Sequence, residues 1–351
     1  MDKVVDLYLN IASVKTKWQT FLTGLGLHNF SERELAVIDH TLGLVDETGK
    51  LVGTGSIAGN VLKYIGVQND DAHPGARFNQ IVTALQQYLF SQQIFHCFVF
   101  TKEKYSASFS HLGFRELAHT EEAAFLESGT PDINDYVAAL PQVPDQKNKR
   151  VAAVVMNANP FTLGHQQLVA QASRENDLVY VFVVATDASL FKTSERMKLV
   201  QAGTAACKNV QVVSGGDYLV SSATFPAYFL KSPDELIKTQ TVIDARVFKK
   251  YLVPALAIKA RYLGTEPFSR TTNFYNESLK QELEPEVAVQ IIPRYQVNGK
   301  VITATKVRQA IKDDSLSQVK EMLPDSTWQF IEANKKILQD RIKKGMKING
   351  N

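Results

Sequence analysis

Short apolar runs alternate with helical patterns through the second half of this sequence. A continuous run rich in Val and Ile is typical of a strand buried on both faces, and helices between such runs indicate a parallel sheet. The runs are VAAVVM, LVYVFVVAT, VQVVS, ALAIKARYLG and VAVQIIP. After Pro324, the periodicity of STWQFIEANKKILQDRIKK predicts a terminal helix. The second half is therefore predicted to be an α/β domain with a parallel sheet.

The first half has a different order of elements. The stretch VDETGKLVG predicts a hairpin with Thr48 and Gly49 in its turn. The other predicted elements are a helix over 13–25, strands within 35–46 and 51–67, a helix over 77–92, the strand IFHCFVFT and a short helix before His111. This half is therefore predicted to be an α+β domain whose sheet begins antiparallel.

A polar stretch, PQVPDQKNKR at 141–150, separates the two halves. Two prolines, several charges and few aliphatic residues are typical of an interdomain linker. The predicted organisation is a first domain at 1–140, a linker at 141–150 and a second domain at 151–345.

Composition and charge narrow the classes of function. The chain is 44% hydrophobic and 21% charged, and its net charge of +3 does not by itself favour nucleic acid. No segment approaches the roughly 20 apolar residues of a membrane helix, and the charged N-terminus is unlike a signal peptide. Cys97 and Cys207 lie far apart, outside any metal-binding cluster. We therefore expect a cytoplasmic protein that binds neither nucleic acid nor membrane.

The turn after the first buried strand of the second half carries candidate phosphate chemistry. Strand VAAVVM ends in NANPF, and a helix then begins with TLGH at 162–165. The carboxyl ends of parallel strands and the free N–H groups of a following helix favour anions. Gly164 permits close approach, and His165 can donate a hydrogen bond to a phosphoryl oxygen. A turn with an incidental histidine is the ordinary alternative, but the order of strand, turn and helix favours a phosphate site.

On these residues the sequence resembles the HxGH nucleotidyltransferase superfamily, whose signature tolerates Thr in place of the first His. Its second motif, ISSTxxR, is similar to ITATKVR at 302–308, and SERMKLV at 194–200 resembles the helix after its second strand. The resemblance implies a Rossmann-like fold and catalytic roles for Thr162 and His165. The ATP-binding residues that it implies are Asn157, Asn159, Phe161, Gly164, Lys192, Arg196, Gly264, Glu266, Thr303, Thr305 and Arg308.

Some of these assignments compete. Arg196 and Lys192, which lies on the preceding loop, are alternatives for contact with the triphosphate, and Arg196 could instead belong with Glu195 to a solvated charged helix face. Thr305 is a plausible N-cap, and Arg308 lies where a cationic fork can reach an anion at the helix end.

Three further blocks resemble the citrate lyase ligase family. They are SSATFPAYFLK at 221–231, GTEPFSR at 264–270 and PRYQVNGK at 293–300. The resemblance implies that acetate attacks the α-phosphorus of ATP to give acetyl adenylate, whose acetyl group passes to the thiol prosthetic group on the acyl carrier subunit of citrate lyase. It also implies Mg²⁺ with the ATP and no metal site of protein side chains. Arg270 would contact substrate or phosphate, or pair with Glu266.

The first half resembles the GNAT acyltransferase fold. ASFSHLGF at 107–114 is similar to a late element of that fold, and AHPGAR at 72–77 aligns with its pyrophosphate-binding loop. Gly75 keeps one glycine of that loop, but Arg77 takes the place of a small residue, which argues against ordinary acetyl-coenzyme A catalysis. This domain is expected to bind the coenzyme-A-like arm of the carrier through Gly75 and Arg77, or to be a structural or docking domain.

Two other functions remain open at this level. The same fold could transfer AMP to a phosphorylated metabolite in coenzyme A or NAD synthesis, although the extra domain and the ligase-like blocks weigh against it. The chain could instead be an acetyl-coenzyme A-dependent acetyltransferase with an inactive second half, which the altered loop at Gly75 and the intact TLGH both oppose.

Overall fold

The computed structural model describes residues 2–68, 74–185, 189–219, 233–265, 270–297, 299–346 and 348. They form two compact units. The first unit runs to Asp135 and includes residues 233–239, and the second takes the remaining described residues. No helix within these ranges is long and apolar enough to cross a membrane.

A mixed sheet forms the centre of the first unit. Its strands, within the described residues, are β1 (Lys3–Asp6), β2 (His40–Val45), β3 (Leu51–Ala58), β4 (Val61–Val67), β5 (His96–Thr101), β6 (Arg115–His119) and β7 (Ala124–Gly129). They lie in the order β1-β2-β3-β4-β5-β7-β6, and all neighbours are antiparallel except β4 and β5. The helices are α1 (Ala12–Gly24), α2 (Glu32–Leu35), α3 (Ala76–Ser91) and α4 (Ser106–Ser110), with a 3₁₀ helix at Glu103–Tyr105.

This arrangement confirms the predicted α+β domain with an antiparallel start. The hairpin β2–β3 turns as predicted, because Asp46 accepts hydrogen bonds from the backbone N–H groups of Thr48 and Lys50 while Gly49 adopts a φ of +80°. The apolar run predicted as strand within 51–67 is two strands, which reverse at Gly59. Strands β1, β6 and β7 were not predicted, since each is short and carries charges.

The second unit is built on a parallel sheet. Its strands are β8 (Val151–Met156), β9 (Leu178–Val183), β10 (Val210–Ser214), β11 (Ile258–Gly264) and β12 (Ala288–Ile292). They pair in parallel in the order β10-β9-β8-β11-β12, which confirms the predicted α/β domain. The chain leaves β8 toward β9 on one side and returns to β11 on the other. The carboxyl ends of β8 and β11 therefore mark a topological switch point, where such sheets bind ligands.

Helices cover both faces of this sheet. They are α5 (Ile133–Ala138), which spans the boundary between the units, α6 (Leu163–Glu175), α7 (Thr193–Thr204), α8 (Pro233–Val247), α9 (Val253–Leu256), α10 (Arg270–Leu283), α11 (Ala304–Lys312) and the predicted terminal helix α12 (Asp325–Lys343). Shorter elements are 3₁₀ helices at Gln146–Asn148 and Leu316–Met322, a π-helical turn at Phe248–Leu252, and the antiparallel pair β13 (Gln296–Val297) and β14 (Lys300–Val301).

Each face of the parallel sheet has its own hydrophobic core. Side chains alternate along a strand, so Val154 of β8 packs with α6, α7, α11 and α12, while Val155 packs against the core beneath α9 and α10. The stretch 141–150, where a linker is predicted, packs on the second core. In it, buried Gln146 donates to the carbonyl of Leu256 at 2.6 Å and accepts from the hydroxyl of Tyr180 at 2.9 Å.

A close contact between Phe161 and Gly203 sets the packing of α7 against the start of α6. Phe161 is fully buried. A Cβ added at Gly203 would lie 2.3 Å from Cε1 of the Phe161 ring, well inside van der Waals contact. Gln166 donates to the carbonyl of Gly203 at 2.7 Å and holds the two helices at this separation. Gly203 is therefore required by packing rather than by its backbone conformation.

We predict that Gly203→Ala lowers the free energy of unfolding of the second unit by about 1–3 kcal/mol, as overpacked core sites generally do. Gly264→Ala is the control in the same unit, because among the described residues no atom lies within 4 Å of its added Cβ, and it should change stability by less than about 0.5 kcal/mol. Urea unfolding, followed through Trp328 fluorescence in a Trp18→Phe background, measures both. Equal midpoints for the two variants would contradict the prediction.

Candidate functional site

A cavity of about 500 Å³ opens at the carboxyl ends of β8, β11 and β12. The first turns of α6 and α11 both face it, so two sets of free N–H groups converge on one space. The structure thus brings together most of the residues singled out from the sequence. Those that line the cavity are Asn157, Asn159, Thr162, Gly164, His165, Gly264, Thr303, Thr305 and Arg308.

The start of α6 fixes the orientation of His165. Thr162 is the N-cap residue, in extended conformation, and its backbone N–H donates to Nδ1 of His165 at 3.1 Å. Nδ1 is therefore an acceptor, so in the neutral ring the proton is on Nε2. The ring also stacks on Phe161, with centroids 5.8 Å apart. Both contacts hold the imidazole in the cavity wall with Nε2–H as its free donor.

His165 is neutral at physiological pH. Burial lowers the pKa of its imidazole to about 4, and the positive charge of Arg294 contributes in the same direction. The residue can therefore donate a hydrogen bond without adding a positive charge to the site. A preorganised donor of this kind can stabilise a reaction when it is aimed at an oxygen on which negative charge develops.

The second helix start differs in one detail from the sequence interpretation. The N-cap of α11 is Thr303, whose Oγ1 accepts from the N–H of Lys306 at 3.2 Å, so the prediction of Thr305 as N-cap was wrong. Thr303 has the extended backbone that an N-cap requires, whereas Thr305 already lies in the first helical turn. The hydroxyl of Thr305 instead accepts from Arg308 at 3.1 Å.

Arg308 is buried and serves the backbone around the cavity. Its guanidinium donates to the carbonyl of Asn159, and to that of Ile348 at 2.8 Å. Burial lowers its pKa to about 10, which still leaves it charged at neutral pH. Arg308 thus joins α11 to the turn after β8, and it reaches the cavity as part of the wall.

Arg196 lies outside the cavity lining. It is fully buried and donates to the carbonyls of Val184 and Phe191, at 2.6 and 3.0 Å. It also donates to both the backbone oxygen and the side-chain oxygen of Asn157, at 2.8 and 2.9 Å. Lys192, its competitor for the triphosphate, is exposed at the N-cap of α7 and likewise does not line the cavity. Arg196 therefore holds Asn157, a cavity residue, in position through hydrogen bonds and does not itself line the cavity.

Several other candidate residues lie elsewhere than expected, or their side chains are outside what the structure describes. Phe161 is in the hydrophobic core, beneath His165 rather than in the cavity wall. Arg270 begins α10, and only its backbone is described. Glu266 and the block at 221–231 lie outside the described residues.

Arg294 is a cavity residue that the sequence interpretation missed. It follows β12 and lines the cavity, with its Nε donating to the carbonyl of Thr265 at 2.8 Å and its Nη1 to that of Ile302 at 3.3 Å. These bonds connect the ends of β11 and β12 to Ile302, which directly precedes the N-cap of α11. The sequence did carry a signal for Arg294. It lies just after a predicted strand, within the block PRYQVNGK that resembles the citrate lyase ligase family.

Two glycines leave open space in the wall. A Cβ at Gly164 would find its nearest neighbour at 3.6 Å, and one at Gly264 would find no atom of the described residues within 4 Å. Neither glycine has a positive φ. Protein packing and backbone strain therefore do not require glycine at these positions, whereas a ligand that approaches the backbone closely would.

The first unit contains a separate cavity of about 290 Å³. Strands β4 and β5 pair only at Val61 with Phe98 and at Leu62 with Val99, and the cavity lies where the two strands then diverge. Its wall is mostly apolar, with Lys102 among the polar residues.

The loop residues predicted to bind the carrier arm do not line this first-unit cavity. Gly75, with a φ of +80°, is the N-cap of α3. Arg77 forms an ion pair with Asp2 at 2.6 Å and donates to the carbonyl of Gln68 at 3.2 Å.

Solved structures are similar to this chain over part of its length. Among solved structures, a GNAT-family acetyltransferase from Staphylococcus aureus Mu50 covers 37% of this chain and 99% of its own, at 14% identity and a TM-score of 0.30. A proposed nicotinate-nucleotide adenylyltransferase from Vibrio parahaemolyticus covers 55% of this chain and 96% of its own, at 17% identity and a TM-score of 0.35.

Sequence relatives match most of the chain. The citrate (pro-3S)-lyase ligase of Escherichia coli K12 is 33% identical over 290 residues, which cover 81% of this chain and 82% of the relative. That of Klebsiella pneumoniae is 35% identical over 288 residues, which cover 80% and 84%. The family model for the citrate lyase ligase C-terminal domain matches residues 151–331, which include both helix starts of the cavity. The chain therefore belongs to the citrate lyase ligase family.

Proposed function

We propose that this protein uses ATP to attach acetate to the thiol of a carrier subunit of citrate lyase and so activates that enzyme. The observation that carries the proposal is the convergence of two helix N-termini and the neutral donor His165 on one cavity at the sheet's switch point. Ligases couple bond formation to the cleavage of a nucleoside triphosphate, and such a cavity suits a polyphosphate. The names of the relatives supply the acceptor.

In the first step an acetate oxygen attacks the α-phosphorus of ATP. A new oxygen–phosphorus bond forms, the bond from the α-phosphorus to the bridging oxygen breaks, and its electron pair leaves with pyrophosphate. Nε2–H of His165 donates to an oxygen on which negative charge increases, and the N–H groups of α6 and α11 bind phosphate oxygens. No protein nucleophile is needed, because the carboxylate is itself the nucleophile.

Mg²⁺ would accompany the ATP. Among the described residues, the cavity lining offers amides and hydroxyls but no Asp or Glu carboxylate, the ligand type that Mg²⁺ prefers. The donor set therefore fits a cation that is bound chiefly by the triphosphate oxygens, where it would neutralise charge. Arg294 and the helix ends bind and orient the phosphates from the protein side.

In the second step the thiol sulfur of the carrier attacks the carbonyl carbon of acetyl adenylate. A thioester forms, the carbon–oxygen bond to AMP breaks, and the thiol proton passes to solvent. We propose that the first unit recognises the coenzyme-A-like arm that bears this thiol. Two features of that unit support recognition of an extended arm: a largely apolar cavity between diverging strands, and a helix start at Gly75 with Arg77 in its first turn.

We predict that His165→Ala reduces acetate-dependent pyrophosphate release by about 10²–10³-fold, the usual cost of losing a donor to developing charge. His111→Ala, at an exposed histidine of the first unit, should leave the rate unchanged. The assay contains ATP, Mg²⁺ and acetate, with and without deacetylated citrate lyase. If pyrophosphate release by the wild type does not depend on acetate but requires a phosphorylated metabolite, the protein is an adenylyltransferase and the proposal fails.

We predict that Arg294→Gln raises the pKa of His165 above about 4, because the variant removes a positive charge that disfavours the imidazolium. In the wild type the donor stays neutral down to nearly pH 4, so acid loss of activity through His165 should begin at higher pH in the variant. Histidine NMR and the pH profile of pyrophosphate release measure the two effects. Arg174→Gln, at another cavity arginine, is the control, and an equal shift there would refute this role of Arg294.

We predict that Arg77→Ala weakens acetyl transfer to the carrier thiol several-fold through a higher KM for the carrier. Acetate-dependent exchange of pyrophosphate into ATP, which needs no thiol, should be unaffected. Arg150→Ala is the control, because Arg150 is likewise paired with an aspartate, Asp177, but lies in the second unit. An unchanged KM for the carrier in Arg77→Ala would show that Arg77 does not recognise the arm. It would not contradict the proposed adenylation step.

A further inference from the structure

The main cavity reaches both faces of the parallel sheet. His165 and the start of α11 lie on the face packed by α6, α11 and α12. The opposite end of the cavity is lined by Val155, Leu263 and Tyr275, which belong to or pack on the core beneath α9 and α10. We call the end formed by Val155, Leu263, Tyr275 and Asn276 the apolar end.

Tyr275 lines the cavity, and its hydroxyl contacts a buried ion pair. The hydroxyl lies 3.4 Å from Nη2 of Arg261, which in turn lies 3.3 Å from Oδ2 of Asp244. Arg261 and Asp244 are buried and are not part of the cavity lining. Burial and the charge of Asp244 raise the pKa of Tyr275, so the phenol stays protonated. The buried ion pair thus provides a partner for the polar atom of Tyr275, so the aromatic ring is the apolar part that this residue can offer to the cavity.

Asn276 supplies a polar group at this end. It is buried, and its Nδ2 donates to the carbonyl of Gly264 at 3.3 Å, which fixes the amide beside the end of β11. Nδ2 carries a second hydrogen that can donate to a ligand oxygen. The rest of the apolar end consists of a valine, a leucine and an aromatic ring, without a charge.

This setting suits the tail of a short aliphatic carboxylate. In the proposed adenylation, the carboxylate must face the α-phosphate, so its carbon tail points away from His165 and the helix starts. Apolar walls favour a hydrocarbon tail and oppose a charged or hydroxylated one, since a buried polar group without a partner is costly. We propose that the apolar end binds the acyl tail of the substrate and limits its length, with Asn276 holding a carboxylate oxygen. The inference rests on the proposed function, whose substrate specificity it explains.

The test compares Val155→Ala with Val154→Ala. These neighbours on β8 undergo the same truncation, but Val155 lines the cavity, whereas Val154 is in the opposite core and does not. We expect Val155→Ala to raise the ratio of kcat/KM for propionate to that for acetate by about tenfold, the effect of one methylene in an apolar pocket. The KM for ATP should not change. Val154→Ala should leave the ratio as in the wild type.

Direct binding gives an independent readout. Calorimetric titration of acetate, propionate and butyrate into protein saturated with a non-hydrolysable ATP analogue reports the same preference without turnover, and Asn276→Leu should weaken all three about equally. An unchanged preference in Val155→Ala by both measurements overturns the inference. A wild type that binds these carboxylates but releases no pyrophosphate would instead refute the proposed function and keep the apolar end as their site.

Discussion

Two buried arginines hold the turn after β8, and the rest of the site depends on them. Arg196 from α7 donates to Asn157, and Arg308 from α11 donates to the carbonyl of Asn159. Burying a guanidinium is costly unless its N–H groups find acceptors, and here backbone carbonyls provide them. Because these bonds come from two different helices, α7 and α11, they fix the position of the turn relative to both helices. The helix starts therefore converge as a consequence of buried polar bonding.

The same arrangement explains how the site collects negative charge without charging its central donor. Backbone N–H groups at the two helix starts, together with Arg294, supply the positive potential. Arg294 and burial keep His165 neutral. In the proposed reaction these groups would neutralise the charge of the substrate, and His165 would interact with charge that forms during the reaction. Such preorganisation avoids reorganisation at the moment of bond exchange.

In the proposed reaction, the switch point also separates the two kinds of substrate. The helix starts proposed to bind phosphate lie on the face covered by α6 and α11, whereas the apolar end is on the face covered by α10. An in-line displacement needs the nucleophile and the leaving group on opposite sides of phosphorus. The cavity crosses the sheet at the ends of β8 and β11. It therefore offers one end for the nucleophile and the opposite end for the leaving group.

The sequence by itself determined the strands of the parallel sheet and the TLGH turn, because hydrophobic period and helix-start chemistry are local. It also pointed to Thr303, Thr305 and Arg308 through their motif. Only the tertiary structure decided which cations face the cavity. Arg196 and Arg294 are alike as residue types, and both donate to backbone carbonyls, but Arg196 is fully buried outside the cavity lining whereas Arg294 lines the cavity. Burial makes that difference, and it depends on elements that are distant in the chain.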